Sequence, residues 1–445
     1  MLAALASKAL QMLTAPLAGL LAFVFTFLSN IIYSPGIMDL PTPPDDFTPV
    51  MRFTVTSDVH LNGQEGQVEA QRLAQMLQTS KRISSEDSVY DKLDAAAFVG
   101  DLCDKGTPET MRQFVDICND NLYEGTELLA VMGNHEFMHD RPNTIESWKR
   151  STDMDYRFHE VINGFHFIGM SPDNEGRGYT LDNRLWLAEQ LKLAENDNPD
   201  YPIFVFQHHH IWGTVYGSLN WGNVDLTAIL AQFPQVIDFS GHSHYPINDP
   251  ASIWQGSFTA LGTGTLSYFE MEYFPFTGGQ FPEGYRQAAQ MYVVEADIKG
   301  ATRIRGYDIL GDCFIGETYY IATPADKSTF AYGLRNRLAK SQAPVFDKGA
   351  KLSAVKGEEG NYILDFPNAQ DNFLVRQYQV TVSEVSGRLV YSATHLSGYY
   401  LSPQPERQVI DIGELESGKT YVASVIAANA YYMPSHPLLL SFTAQ

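Results

Sequence analysis

Five short patterns occur in fixed order along the chain: Asp58-Val59-His60, Gly100-Asp101-Leu102-Cys103-Asp104, Gly133-Asn134-His135-Glu136, His208-His209-His210 and Gly241-His242-Ser243-His244. Together they hold what a two-metal centre needs. Carboxylates are hard enough to bridge two cations, imidazoles complete each coordination shell, and an Asn offers a carbonyl oxygen. Any one pattern alone is a weak signal, because such short strings recur by chance. Five of them in order point to metal-assisted chemistry.

Residues far apart in sequence must be brought to one point, and what precedes each pattern shows how. Phe53-Thr54-Val55-Thr56 leads into Asp58, Ala96-Ala97-Phe98-Val99 into Asp101, and Leu128-Leu129-Ala130-Val131-Met132 into Asn134. Ile203-Phe204-Val205-Phe206 leads into His208, and Val236-Ile237-Asp238-Phe239 into His242. Short apolar runs ended by Gly or polar turns read as buried strands. Open α/β sheets place their sites at the carboxyl ends of such strands. The Gly before Asp101, Asn134 and His242 lets the backbone turn sharply and come close to a metal.

The set resembles the calcineurin-like metallophosphoesterase superfamily, whose pattern is D-x-H, G-D-x-x-D, G-N-H-[D/E], H and G-H-x-H, and the match runs from about Met51 to Ile309. The resemblance implies one metal held by Asp58, His60, Asp101 and His244, and a second by Asp101, Asn134, His208 and His242, with Asp101 bridging. It implies His135 as the catalytic histidine, with Glu136 in the acidic catalytic position beside it and Asp104 in support. Seven N/O ligands without thiolate suit two divalent or trivalent ions such as Mn, Fe, Zn or Mg. Two metals about 3.5–4 Å apart can activate a bridging hydroxide for in-line attack on phosphorus. A histidine beside them would assist the leaving group. The expected reaction is hydrolysis of a small phosphate mono- or diester. The competing reading is a catalytically silent surface or binding protein on the same fold, against which the intact ligand blocks and His135 speak.

Two departures stand out. Where the family reads H-x-P, this chain has His210; period-2 alternation of an extended segment expects His208 and His210 to reach the site, His210 against substrate, and His209 to turn away or pack. Purple acid phosphatases carry Tyr where this chain has Asp104, so a tyrosinate-ligated ferric site is not expected. The run Thr214–Ser218 with Trp221-Gly222 reads either as a loop on the substrate side or as aromatic packing. His139, His159 and His166 read as structural or exposed.

The 445 residues carry 30 basic and 52 acidic side chains, a formal charge of −22. That excludes nucleic-acid binding through a basic surface, while a small anionic substrate remains compatible because bound metal charge dominates locally. Three cysteines at unrelated spacings give neither a disulfide framework nor a thiolate zinc site.

Residues 1–38 are nearly uncharged and read as a secretory signal, a membrane anchor or a helix packed on the catalytic part. Uncharged runs of this length favour the first two, which expects membrane attachment or an extracytoplasmic location. A Pro-rich linker (39–50) follows. Residues 51–320 alternate strand and helix signals, and the resemblance implies a four-layer α/β/β/α sandwich. Thr107-Pro108-Glu109 is a helix start with a capping Thr and Pro at the first helical position. Leu181 to Ala194 carries a helical apolar stripe. After a connecting segment (321–341), residues 342–445 read as short strands of an all-β sandwich. Leu415, Gly418, Tyr421, Val425 and Ala427 resemble the E–F corner of a fibronectin type III domain. That module carries no chemical cluster and is expected to make packing, carbohydrate or cell-surface contacts.

Overall fold

Strand β1 (Pro49–Thr56) is buried along nearly its whole length, as a strand covered on both faces must be. The computed structural model describes residues 36–64, 66–271 and 279–445. The nearly uncharged segment read as signal, anchor or packing helix lies outside them except for its last three residues. Among the described residues no helix is long and apolar enough to cross a membrane.

The first compact unit runs through the described residues to Arg337, apart from Asn248–Pro250. Its strands continue with β2 (Ala95–Val99), β3 (Glu127–Val131), β4 (Arg157–Ile162), β5 (Phe165–Met170), β6 (Ile203–Phe206) and β7 (Val236–Ser240). Strands β8 (Ile253–Gln255), β9 (Thr259–Gly262), β10 (Gln290–Asp297), β11 (Thr302–Asp308) and β12 (Cys313–Ile321) complete the described set. They form two six-stranded sheets, ordered β12-β11-β10-β1-β2-β3 and β4-β5-β6-β7-β9-β8. Strands β1, β2 and β3 are mutually parallel, as are β5, β6, β7 and β9.

The two sheets pack face to face. Phe53 of β1 meets Phe167, Phe204, Phe206 and Phe239 of the other sheet, with ring centroids 4.9–5.8 Å apart and rings steeply inclined. Burying each such ring contributes about 1.5–3 kcal/mol. Outside the first sheet lie α1 (Val68–Ser85) and α2 (Pro108–Asn121), whose Leu73, Met76, Leu77, Met111 and Phe114 meet Ala96, Phe98 and Met291. Outside the second lies α4 (Leu181–Asp197), which follows α3 (Thr144–Thr152) in the chain and buries Leu187, Leu191 and Ala194. The order is therefore α/β/β/α. Thr107 caps α2 through its hydroxyl, with Pro108 in the first turn, and Thr180 caps α4. Within residues 321–341, Tyr332 packs in the core between the sheets, and Asn336 Oδ1 accepts the Met38 N–H at 3.0 Å.

The second unit, Leu338–Gln445 with Asn248–Pro250, is an all-β sandwich. A three-stranded antiparallel sheet holds β13 (Ser353–Lys356), β14 (Asn361–Pro367) and β17 (Arg407–Glu414). A four-stranded one holds β15 (Val375–Glu384), β16 (Leu389–Leu396), β18 (Thr420–Asn429) and β19 (Leu438–Thr443). Tyr378, Val380 and Val382 point inward from β15 while Gln379 is exposed, the alternation expected of a half-buried strand. The Tyr421 hydroxyl accepts the Glu416 N–H at 3.1 Å, pinning the turn into β18.

Candidate metal centre

Eight side chains meet at the carboxyl ends of the parallel strands. Asp58 and His60 follow β1, Asp101 follows β2, and Asn134 and His135 follow β3; His208 follows β6, and His242 and His244 follow β7. The loops are laced together through their backbones. Asp58 N–H donates to Gly100 at 3.0 Å, His60 N–H to Asp101 at 3.0 Å, and Gly241 N–H to the His208 carbonyl at 3.0 Å.

Close approach explains the glycines. Gly100 has φ +91°, and a Cβ there would sit 2.5 Å from His208 Nδ1; a Cβ on Gly133 would sit 2.2 Å from Asp101 Oδ1. Five of the site's own residues are held in the left-handed region: Asp58 at φ 52°, His60 at 57°, Asp101 at 51°, His242 at 75° and His244 at 53°. Such backbone costs about 1–3 kcal/mol per residue and persists only where the surroundings enforce it. Here it re-aims each side chain away from its strand and into the cluster.

Three overlapping groups of ligand atoms result: Asp58, His60 and His244; His60, Asp101 and His135; Asp101, His208 and His242. His244 Nε2 lies 3.3 Å from Asp58 Oδ1, and His208 Nε2 lies 3.2 Å from Asp101 Oδ2 and 3.1 Å from Asn134 Oδ1. The second nitrogens are anchored from behind. His208 Nδ1 is 2.8 Å from the Val99 carbonyl and His244 Nδ1 is 3.1 Å from the Tyr268 carbonyl. A carbonyl only accepts, so each Nδ1 carries hydrogen and each Nε2 faces the cluster, as metal-binding histidines require.

The donor set fits cations. Asp58 Oδ1 is buried with no hydrogen-bond partner, a costly state for a carboxylate oxygen. His60 Nε2 and His244 Nε2 face one another at 3.1 Å. A cation shared by these atoms would satisfy all three. The electrostatics agree: burial would raise Asp101, yet His208, His60 and His135 around it hold its carboxyl well below the usual range. Burial opposes charge on His208, but the Asp101 carboxylate outweighs it and pushes the imidazole up to about 9. His60 is held well below its usual value by burial and then by His244.

Glu136 does not face this cluster. Fully buried, its carboxylate accepts the backbone N–H groups of Asp101 at 3.2 Å, Cys103 at 2.8 Å and Gly133 at 2.6 Å. Burial, and next the Asp101 charge, push it up to about 7. Expected as a catalytic residue, it is placed as a clamp holding two metal-site loops in register.

The histidine triplet also departs from expectation. His210 is tied by Nδ1 to Ser240 Oγ at 2.8 Å and by Nε2 to Ser243 Oγ at 2.7 Å. His209 packs: its ring lies 4.7 Å from that of His242, and its buried Nδ1 has no hydrogen-bond partner. Strand β6 ends at Phe206 and the chain bends at residues 208–209, so the alternation of an extended segment does not apply. Several supporting residues carry no motif. Ser57 Oγ donates to Asp58 Oδ2, Thr265 and Ser267 hydroxyls bind the Asp58 carbonyl at 3.0 and 2.8 Å, and Tyr268 stacks on His244 at 4.0 Å. Only Ser57, adjacent to Asp58, offered a sequence cue.

No curated protein matches the chain. Among solved structures, it is similar to a dimetal phosphatase from Danio rerio, at 13% identity over 62% of this chain and 99% of that one, with a TM-score of 0.42. It is also similar to a purple acid phosphatase from yellow lupin (Lupinus luteus) seeds, at 13% identity over 64% of this chain and 55% of that one, with a TM-score of 0.44. A family model described as calcineurin-like phosphoesterase matches residues 51–246, the stretch that contains every ligand block. Residues 51–246 of this chain are a calcineurin-like phosphoesterase domain.

Proposed function

We propose that the protein is a dinuclear metal-dependent hydrolase of phosphate mono- or diesters. Asp58, His60, Asp101 and His244 would hold one ion and Asp101, Asn134, His208 and His242 the other. When bound, the ions supply positive charge for the phosphoryl oxygens and make water nucleophilic near neutral pH. His135 moves the proton. It is about a quarter exposed, at 23%, and its Nδ1 lies 3.0 Å from the Asp104 carbonyl. That carbonyl takes the Nδ1 hydrogen and leaves Nε2 as the atom that meets the departing alkoxide; the imidazolium form gives its Nε2 proton to that oxygen and is left neutral. Glu136 orients: its three backbone contacts keep Asp101 and Gly133 in place.

The observation that carries this reading is the buried Asp58 Oδ1, which makes no hydrogen bond, beside two facing imidazole nitrogens. The test is to strip the full-length protein of metal and resupply Mn, Zn, Fe and Mg separately against a panel of chromogenic mono- and diesters. Turnover restored by at least one of these ions supports the reading; no turnover with any, at full metal loading, contradicts it.

The sequence supports two further proposals. The nearly uncharged segment 1–38 takes the chain to a membrane or out of the cytoplasm, which cell fractionation checks. The C-terminal sandwich is of the fibronectin type III kind and serves as a surface or carbohydrate-contact module, which glycan binding by the full chain checks.

A further inference from the structure

Two aromatic side chains stand against histidines of opposite halves of the metal centre. Tyr268 stacks on His244, rings 4.0 Å apart and inclined by 20°, and lies 5.7 Å from the His60 ring. Trp221 stands edge-on to His242, at 5.6 Å and 90°. Both are only partly buried, although large aromatic rings in a core bury fully, as Phe53 does here.

Trp221 is held there by the part of the histidine triplet that the metal chemistry leaves unused. It ends the one-turn helix α5 (Ser218–Trp221). Gly217, with φ +81°, starts that helix against Ser243: a Cβ there would meet Ser243 Cβ at 2.8 Å. Ser243 in turn is bonded to His210 Nε2 at 2.7 Å. Beyond the helix, Asn223 N–H donates to the His210 carbonyl at 2.7 Å. His210 therefore holds one end of the loop that carries Trp221 directly and meets the other through Ser243. On the other side, Tyr268 is fixed through its own carbonyl to His244 Nδ1 at 3.1 Å, and Glu270 N–H donates to the His244 carbonyl at 3.2 Å. Two rings are thus positioned by hydrogen bonds to the metal-site loops themselves, one beside each half of the cluster.

We infer that Trp221 and Tyr268 form an aromatic clamp that selects phosphate diesters whose non-leaving alcohol carries a planar ring. The inference rests on the hydrolase reading above and names its substrate class. A ring of that kind stacks on a protein aromatic face without needing a hydrogen-bond pattern, so an aryl group and a nucleobase share the required chemistry. His210 is a positioning residue in this account, acting through the loop that carries Trp221.

The test uses the metal-loaded full-length protein and two diesters of equal charge with the same leaving group: thymidine 5′-(4-nitrophenyl phosphate) and ethyl 4-nitrophenyl phosphate. Phenethyl 4-nitrophenyl phosphate is the aryl arm. The expected kcat/KM for the thymidine and phenethyl esters exceeds that for the ethyl ester by about tenfold or more, the scale of one ring stack. Trp221→Ala brings these ratios toward one and Trp221→Phe keeps them; metal content, measured on each variant, identifies any that has lost the centre. A preference for the thymidine ester alone restricts the class to nucleobases. Calorimetric binding of the same esters separates the clamp from the hydrolase reading. Without turnover, ring-dependent binding lost in Trp221→Ala still supports the clamp while the hydrolase reading fails. Equal kcat/KM for all three esters, or a preference that survives Trp221→Ala in a metal-loaded variant, overturns the clamp.

Discussion

His208 Nε2 lies 3.2 Å from Asp101 Oδ2, and its other nitrogen is tied to the carbonyl of Val99, the last residue of Asp101's own strand. The two sheets are thus joined at the point where a bridging carboxylate would sit. Asp101→Asn replaces that carboxylate by a neutral amide, a poor bridge between two dications. The expected outcome is loss of at least one metal equivalent and of nearly all activity, read by elemental analysis and turnover on the same sample. Two tightly bound ions with normal turnover would sink the assignment.

His135→Ala keeps the seven ligand side chains and removes the proton donor. The rate should fall by roughly 10²–10⁴-fold, the usual contribution of a positioned general acid, with metal content unchanged. A collapse of metal content instead would make His135 a ligand, which its membership of the group with His60 and Asp101 permits geometrically.

Glu136→Gln distinguishes a clamp from a group that touches substrate. An amide has one acceptor oxygen, so at least one of the three backbone N–H groups now on the carboxylate loses its partner. A buried donor left unpaired costs about 1–3 kcal/mol. Denaturant unfolding should show that loss, and metal affinity should weaken by about ten- to a hundredfold, as when other supporting contacts of metal sites are removed. A variant of unchanged stability and metal affinity that loses only rate would return Glu136 to a direct catalytic role.

Asp238 gives a pH dependence away from the metals. It is fully buried on β7, accepting from Gln207 Nε2 at 3.1 and 3.3 Å, and burial pushes its carboxyl up to about 8. Between its unfolded value of about 4 and about 8, the folded chain binds one proton more than the unfolded chain. This group's contribution to stability is therefore full at low pH, declines as pH rises across that window, and levels off above it. Asp238→Asn removes the slope. The melting temperature of the variant relative to the parent should climb from pH 5 to pH 8 and then stay flat; a difference independent of pH contradicts the protonated, buried carboxyl.

Much of this arrangement was legible because each ligand block follows an apolar strand, and strand ends on one rim converge whatever lies between them. Thr107 and Pro108 announced α2, and Leu187, Leu191 and Ala194 the buried face of α4, through local rules that tertiary packing did not override. What escaped depended on contacts distant in sequence. The role of Glu136 is set by three backbone groups, two of them on the Asp101 loop. The engagement of both His210 nitrogens follows from one bend just past β6 and from Ser240 and Ser243, some thirty residues on. Asp238 sits in a run that reads as a plain apolar strand, and only the fold shows that its carboxyl is sealed inside.

The central claim is that these seven residues hold two ions on which hydrolysis depends. The most direct measurement is metal content of the purified full-length protein, before and after chelation, alongside turnover of a chromogenic phosphate ester. The account predicts two equivalents per chain, activity lost together with them, and activity regained when an ion is returned. A folded protein that takes up none of Mn, Fe, Zn and Mg, or one whose turnover is the same with and without its metals, would contradict it.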